Sequence, residues 1–481
     1  MESSYQKFTK EVAIIGIMTL MVALTDFILL PLLTKTLGAQ GYGIWSQVRA
    51  TIGLAVPLAG LGLPFAMVRF LAAEKDKREI QEGFYSIVAI VLFNNLIIAS
   101  FLIIFPDFVA NHFFEGASQI VRITGFIALA FGLNGVYLAY FRTFRQIKTY
   151  AVFNIARAYA EIGLIAYLVL SGHGILGAVL ALLAIRVILF LVVFFLITSK
   201  IGIKRPSFSK AREYLNFSLP TVATAITAWV VTLSDRYVIA YFLGVVYVGV
   251  YSAGYVIASS STQFVGILGL LLPAALSQLY DEGKMEEVKT HLRYSLKYVL
   301  ALGIPFVFGA AILSEPVLRM FSTADIASQG HWVIPIVALG FLFMGATVAP
   351  ANIVILVKKT KIAALAWGIS GLVNLSLNIL IVPYLGILGA AITTAFAYLL
   401  LLGILSYYAF KEFKITIEWR FIIKSLIASL IMSLAIWRIA PVGNVAVIVT
   451  VVVGVVVYGV ALFLLKGFSR EEFTFFRGLF H

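Results

Sequence analysis

Fourteen stretches of mostly apolar residues follow one another along this chain, and no connection between them exceeds about twenty residues. About 20 such residues in a helix cross the roughly 30 Å hydrocarbon layer of a bilayer. The stretches run near residues 12–34, 43–69, 84–105, 119–140, 150–170, 174–198 and 214–241. The others lie near 247–276, 292–313, 332–356, 362–382, 387–409, 419–438 and 444–465. A soluble domain has no place between them. Composition agrees: 62% of the 481 residues are hydrophobic and 12% charged, against about 25% charged in soluble proteins. The chain has no cysteine, which excludes disulfides, zinc–thiolate sites, iron–sulfur clusters and a thiol nucleophile. The first stretch, residues 12–33, is too long for a signal-peptide core and is expected to remain as a membrane helix.

Net charge is +14, a balance that suggests nucleic acid in a soluble protein and cytoplasmic loops in a membrane protein. With the N-terminus inside, both termini and every even-numbered connection lie in the cytoplasm. Those segments hold 25 of the 36 Lys and Arg residues, from Lys7 and Lys10 through Lys75, Lys77 and Arg78 to Lys466, Arg470 and Arg477. The outer connections hold four (Lys35, Arg122, Arg319 and Arg438), and seven fall within spans. The bias sets an N-in, C-in topology with an even number of crossings. Positives spread over every inner loop give nucleic-acid binding no support.

The chain also repeats itself. Leu37-Gly38 with Gly43-Ile44-Trp45-Ser46 returns as Leu243-Gly244 with Gly249-Val250-Tyr251-Ser252, at an offset of 206 residues. Gly174-Ile175-Leu176-Gly177-Ala178 returns as Gly386-Ile387-Leu388-Gly389-Ala390, at an offset of 212. Six spans lie within the offset, so both halves face the same way, as in parallel transporter repeats. The expected fold is all-α integral membrane: 14 transmembrane helices in two parallel six-helix repeats plus a C-terminal helix pair. The divisions fall at 1–198 (helices 1–6), 199–213 (cytoplasmic linker), 214–410 (helices 7–12) and 411–481 (helices 13–14 and cytoplasmic tail).

The second half opens on Leu215-Asn216-Phe217-Ser218-Leu219-Pro220, then Ser234-Asp235-Arg236-Tyr237 and Phe242-Leu243-Gly244. Thr36-Leu37-Gly38 and Phe141-Arg142-Thr143-Phe144-Arg145 accompany it in the first half. Across its whole length the chain resembles the polysaccharide-transporter branch, the Wzx-type repeat-unit flippases, of the multidrug/oligosaccharidyl-lipid/polysaccharide (MOP) superfamily. The resemblance implies V-shaped lobes that move isoprenoid-(pyro)phosphate-linked oligosaccharide from the cytoplasmic to the outer leaflet by alternating access. It further implies a monomer in a prokaryotic cell membrane, among membrane lipids, with polymerase or glycosyltransferase partners. A lipid II flippase and a multidrug exporter share the fold and stay open as alternatives. An Arg-rich interior and an appended helix pair argue against an exporter of organic cations.

Charges within the bilayer cost about 2.5–3.5 kcal/mol at mid-helix on insertion scales and mark functional sites by default. Arg186 lies near the middle of span 6; Arg157 and Glu161 share a face of span 5 at i,i+4 spacing. With Arg49 in span 2 and Arg236 in span 7, these arginines are candidate cavity cations for a phosphate head, which a guanidinium grips through forked hydrogen bonds. Arg186 and the Arg157–Glu161 pair also admit a structural salt-bridge reading. Asp26, Asp235 and Glu161 are candidates for a coupling H+ or Na+, or for helix–helix hydrogen bonds. Lys297 and Lys424 are expected to snorkel to the inner surface. Asn374 and Asn378 share a face of span 11, and Ser259–Gln263 crowd span 8; either set lines a sugar path or bonds neighbouring helices.

Span 2 carries Gly53, Pro57, Gly60, Gly62 and Pro64, so Pro57, Gly60 and Pro64 are the hinge candidates, against a static kink. No phosphate-binding Gly-x4-Gly-Lys-Ser/Thr, His-Glu-x-x-His or Gly-x-Ser-x-Gly motif occurs. The outer loops offer Asp107, His112, Glu115, His173, Glu315, Asp325 and His331 without a catalytic spacing. No enzyme, metal site or resident cofactor is expected.

Overall fold

A computed structural model describes residues 4–468 and Glu472. Arg470 and Arg477 of the expected cytoplasmic tail lie outside the described residues. Among the described residues every regular element is helical. By packing, the chain groups into Met1–Ser252 and Ala253–His481, so residues 214–252 pack with the N-terminal half.

The first unit contains α1 (Ser4–Gly60), α2 (Leu63–Leu71), α3 (Lys77–Ile104), α4 (Pro106–Phe113), α5 (Ser118–Thr143), α6 (Ile147–Leu168), α7 (Gly174–Ile201) and α8 (Ala211–Leu243). Its boundary falls inside α9 (Val245–Ser259). The second unit contains α10 (Gln263–Asp281), α11 (Met285–Phe321), α12 (Ala324–Gly330), α13 (Val333–Ala346), α14 (Val348–Leu356), α15 (Thr360–Glu412), α16 (Trp419–Ile439) and α17 (Asn444–Leu464).

Among the described residues, ten helical runs are long and apolar enough to cross a membrane. Three are far too long for one crossing: Lys10–Gly60, Ile147–Ile201 and Thr360–Glu412 have 51, 55 and 53 residues. Straight, each would extend about 80 Å, more than twice the hydrocarbon thickness. Side-chain bonds show that each turns back on itself. Arg49 Nη2 lies 3.2 Å from Asp26 Oδ1, 23 residues earlier, where a straight helix would separate them by about 35 Å. Arg186 Nε lies 2.6 Å from Glu161 Oε1, and Thr393 Oγ1 donates to Asn378 Oδ1 at 2.8 Å. The reversals sit midway between the partners, at Gly38, Gly172–Gly174 and Gly386.

The turns repeat as the sequence does. Gly38 (φ 68, ψ −169) matches Gly244 (φ 94, ψ 166), its counterpart at an offset of 206. Gly174 (φ 59, ψ −151) matches Gly386 (φ 59, ψ −144), its counterpart at 212. All four conformations are ones a Cβ disfavours, so the glycines mark equivalent corners of a duplicated structure.

Three expected spans are interrupted. Span 2 breaks at Leu61 (φ 48) and Gly62 (φ 67), and Pro64 opens the new helix in its first turn, where its missing N–H costs nothing. Span 8 divides between α9 and α10 through a 3₁₀ turn at Ser260–Thr262, and span 10 divides at Thr347, between α13 and α14.

The first unit's core gathers aromatic residues of α3 and α5: Phe84 meets Tyr137 edge-to-face at 5.3 Å, with Met67, Tyr140 and Phe141 buried beside them. In the second unit Tyr458 of α17 donates to the Ala301 carbonyl of α11 at 2.8 Å and lies 2.9 Å from Ser425 of α16. Lys297 departs from the expected snorkelling. Its side chain is 4% exposed, and its Nζ lies 2.9 Å from both Glu418 and Glu472. Two carboxylates hold the ammonium inside, over the rings of Phe421 and Phe468. Asn378 donates to Asn374 at 3.2 Å, and both are fully buried; with Thr393 they bond the two arms of α15 together.

Candidate functional site

The α6–α7 hairpin carries the most concentrated buried charge among the described residues of the first unit. Glu161 faces inward from α6. One turn earlier, Arg157 Nη1 donates to its two carboxylate oxygens at 3.1 and 3.0 Å. From α7, Arg186 brings its Nε within 2.6 Å of Oε1. Glu161 and Arg186 are 6% and 7% exposed. The Arg186 guanidinium lies 3.3 Å from the Phe131 ring centroid, and Asn134 of α5 donates to its backbone carbonyl at 2.8 Å. The residue types fit the place, because an arginine inside a bilayer needs a counter-ion and a flat apolar neighbour. Two guanidinium groups share one carboxylate, which leaves one positive charge in excess.

Arg49 and Asp26 face each other across the α1 hairpin and are half-exposed, at 42% and 46% of their side chains. Glu161 and Asp26 both act electrostatically on Arg49, and Arg49 and Arg157 both act on Arg186. The five residues therefore form one field of three cations and two anions, open to solvent or lipid at Arg49 and closed at Arg186.

Asp235 and Arg236 belong to a second network. Asp235 is fully buried. Its Oδ1 accepts from the backbone N–H and Nη1 of Arg236, each at 2.8 Å, and its Oδ2 accepts from Tyr251 at 2.5 Å. Arg236 also donates to the Thr232 carbonyl and is 5% exposed. Its guanidinium also lies over the Tyr251 ring, 5.7 Å from the centroid.

The hinge candidates flank the break in span 2. Pro57 lies inside α1, Gly60 is its last residue, and Pro64 sits in the first turn of α2. A Cβ on Gly62 would meet Thr221 Oγ1 and, at 2.6 Å, the Ser218 carbonyl oxygen, so the chain packs tightly against α8 at the break.

Sequence reasoning assigned no role to Glu115. Its Oε2 accepts from Gln40 Nε2 at 2.8 Å and its Oε1 from the Val245 N–H at 2.9 Å, so one carboxylate joins the residues that follow Gly38 and Gly244. A signal was present. The helix that opens at Val245 has no Ser, Thr, Asp or Asn before it, so its free N–H groups need an acceptor from elsewhere.

Glycine-cornered hairpins and interrupted spans define the class: a multi-pass helical membrane protein with the fold of the MOP-superfamily transporters of known structure. The family described as "Polysaccharide biosynthesis protein" matches residues 8–279, and the chain belongs to it. The MatE family also matches residues 220–380. A Haloferax volcanii protein named "Probable low-salt glycan biosynthesis flippase Agl15" is 24% identical over 420 residues, covering 85% of this chain and 84% of that protein. A Shigella flexneri protein named as an O-antigen transporter is 24% identical over 381 residues, covering 75% of this chain and 88% of its own length. Among solved structures, "Lipid II flippase MurJ, inward closed conformation" has a TM-score of 0.77 at 18% identity, covering 97% of this chain and 99% of that one. That last likeness concerns the fold.

Proposed function

We propose that the protein is a flippase that carries isoprenoid-(pyro)phosphate-linked oligosaccharide from the cytoplasmic to the outer leaflet by alternating access, driven by an ion gradient or the membrane potential, for cell-surface polysaccharide. It works as a transporter, not an enzyme, in a prokaryotic cell membrane. The observation that carries the reading is the sharing of Glu161 by Arg157 and Arg186. A buried site with more guanidinium than carboxylate favours an anion, and a diphosphate accepts forked bonds from both arginines.

The same geometry suggests coupling. A proton taken up by Glu161 would release both guanidinium groups to the diphosphate, and loss of that proton as the substrate departs would restore the triad. Asp26 does for Arg49, at the open end, what Glu161 does for Arg186.

Fourteen crossings are supported by the ten long apolar runs, the three reversals within them, and the interrupted α9–α10 span. The Lys/Arg bias supports N-in, C-in. The matched glycine corners support lobes at 1–198 and 214–410 with 411–481 appended.

The test is rescue of a host lacking its own repeat-unit flippase. Wild-type protein restores surface polysaccharide; Arg186→Ala, at equal membrane level, does not. A lipid II flippase is the second reading, because the same fold also serves a lipid II flippase. Rescue of cells depleted of their lipid II flippase, without restored surface polysaccharide, would support it instead.

A further inference from the structure

We infer that the first unit holds a second anion site at its inner end, a groove where the isoprenoid-phosphate anchor of the substrate docks before its phosphate passes to the Arg157–Glu161–Arg186 cluster. The inference rests on the flippase reading and adds where the lipid end binds. The groove has a volume of about 550 Å³ and is lined by Phe65, Val68, Arg69, Ala72, Ala73, Arg142 and Phe217. Pockets of about 300–1,000 Å³ hold small ligands.

Five of these residues form one stripe of α2 and its last turn, at the i, i+3, i+4, i+7 spacing of a helix face. Arg142 closes one side from the end of α5, and Phe217 the other from the second turn of α8. The arginines carry the ligand preference. Among the described residues, neither Arg69 nor Arg142 has a carboxylate within ion-pair distance. Arg142 instead rests over the Phe65 ring, its Cζ 5.5 Å from the centroid, and Arg69 is exposed. Elsewhere on the inner side, Arg78, Lys204 and Lys210 of the same unit are paired with Glu82 or Glu79.

Two uncompensated guanidinium groups above an apolar, aromatic trough match a phosphate on a hydrocarbon chain. The stripe is one helix face wide, which suits a single prenyl chain better than the paired chains of a phospholipid. Just beyond Ala73, the charged loop Glu74-Lys75-Asp76 begins, so the groove's polar end lies at the level where an inner-leaflet phosphate sits. The break at Leu61–Gly62 makes α2 a separate short helix, so this stripe is carried independently of α1.

The probe is a C20 prenyl monophosphate bearing a diazirine, photolysed with the purified full-length protein, with labelled peptides mapped by mass spectrometry. Wild-type protein should be labelled in the peptides holding residues 65–73 and 217. In R69Q/R142Q that labelling should fall about tenfold or more, the loss expected for two charge-assisted contacts. R69K/R142K, which keeps the charge, should retain part of it, and both variants should match wild-type melting. Unchanged labelling in R69Q/R142Q would overturn the site. Displacement of the probe by a tenfold excess of dioleoyl phosphatidylglycerol would overturn it in favour of a bulk-lipid contact. Groove labelling by a wild-type protein that restores no surface polysaccharide would sink the flippase reading and leave the groove standing. Rescue with no groove labelling would do the reverse.

Discussion

Gly43 and Gly249 occupy equivalent places in the two copies of the repeated motif, and each lies against the backbone of the other copy. A Cβ on Gly43 would fall on the carbonyl oxygen of Val245, and one on Gly249 would fall on the carbonyl oxygen of Ala39. Ala39 and Val245 are themselves equivalent, at the offset of 206. The contact is therefore reciprocal, as in a two-fold interface, although it lies within one chain. Gly43→Ala and Gly249→Ala should each lower thermal stability by about 1–3 kcal/mol, the usual cost of overpacking. The double variant should cost less than their sum, because the sites share one contact. Gly163→Ala is the control: open space surrounds that position, and alanine is the better helix former. Intrinsic tryptophan fluorescence during melting reads all four proteins.

Glu115 ties this junction from outside through Gln40 and the Val245 N–H. Glu115→Ala leaves a helix N-terminus uncapped and should cost about 1–2 kcal/mol. Glu115→Gln keeps an acceptor for Val245, and a flipped Gln40 amide then accepts from the new side chain, so its melting should stay close to wild type. Equal loss in both variants would show that the negative charge, not the acceptor, matters there.

Much of this was legible in the sequence. The apolar stretches located the helices because a bilayer core permits few other structures, and the repeated glycines located corners whose backbone conformations match. What one sequence hid was which intramembrane charges meet. Arg157 and Glu161 were paired by spacing, but Arg186 joins them only because the α6–α7 hairpin folds the chain back into one contact with Glu161. Arg236 was placed within span 7 by its position alone, and its bonds to Asp235 and Thr232 were not legible there. Lys297 was misread for a related reason. Its two carboxylates come from Glu418 and Glu472, more than a hundred residues away, beyond the reach of local pattern.

Lys297→Met removes the ammonium and leaves two carboxylates close together in an apolar site. Breaking a buried pair by deleting one partner costs about 3–5 kcal/mol, so this variant should melt far below wild type or fail to accumulate. Lys297→Met with Glu418→Gln and Glu472→Gln should recover most of the loss. A single variant as stable as wild type would contradict the buried placement of Lys297.

Gly62→Ala probes the break in span 2. Its backbone conformation and the nearby Ser218 carbonyl both oppose a Cβ, so rescue should fall more than the membrane level does. Gly60→Ala, with nothing within 4 Å of its added carbon, should rescue fully. Loss in both would place the requirement in the flexibility of the whole segment.

The cluster shared by Arg157, Glu161 and Arg186 is proposed to grip the phosphate end of a lipid-linked oligosaccharide during its passage. Vesicles carrying purified protein and an isoprenoid-diphosphate oligosaccharide in the inner leaflet test it directly, through the rate at which the glycan becomes accessible to an impermeant glycosidase. Wild-type protein should raise that rate well above protein-free vesicles. R157Q/E161Q/R186Q replaces the ions together, leaves no buried charge unpaired, and should return the rate to background while inserting and melting like wild type. A triple variant that moves the glycan as fast as wild type would contradict the account.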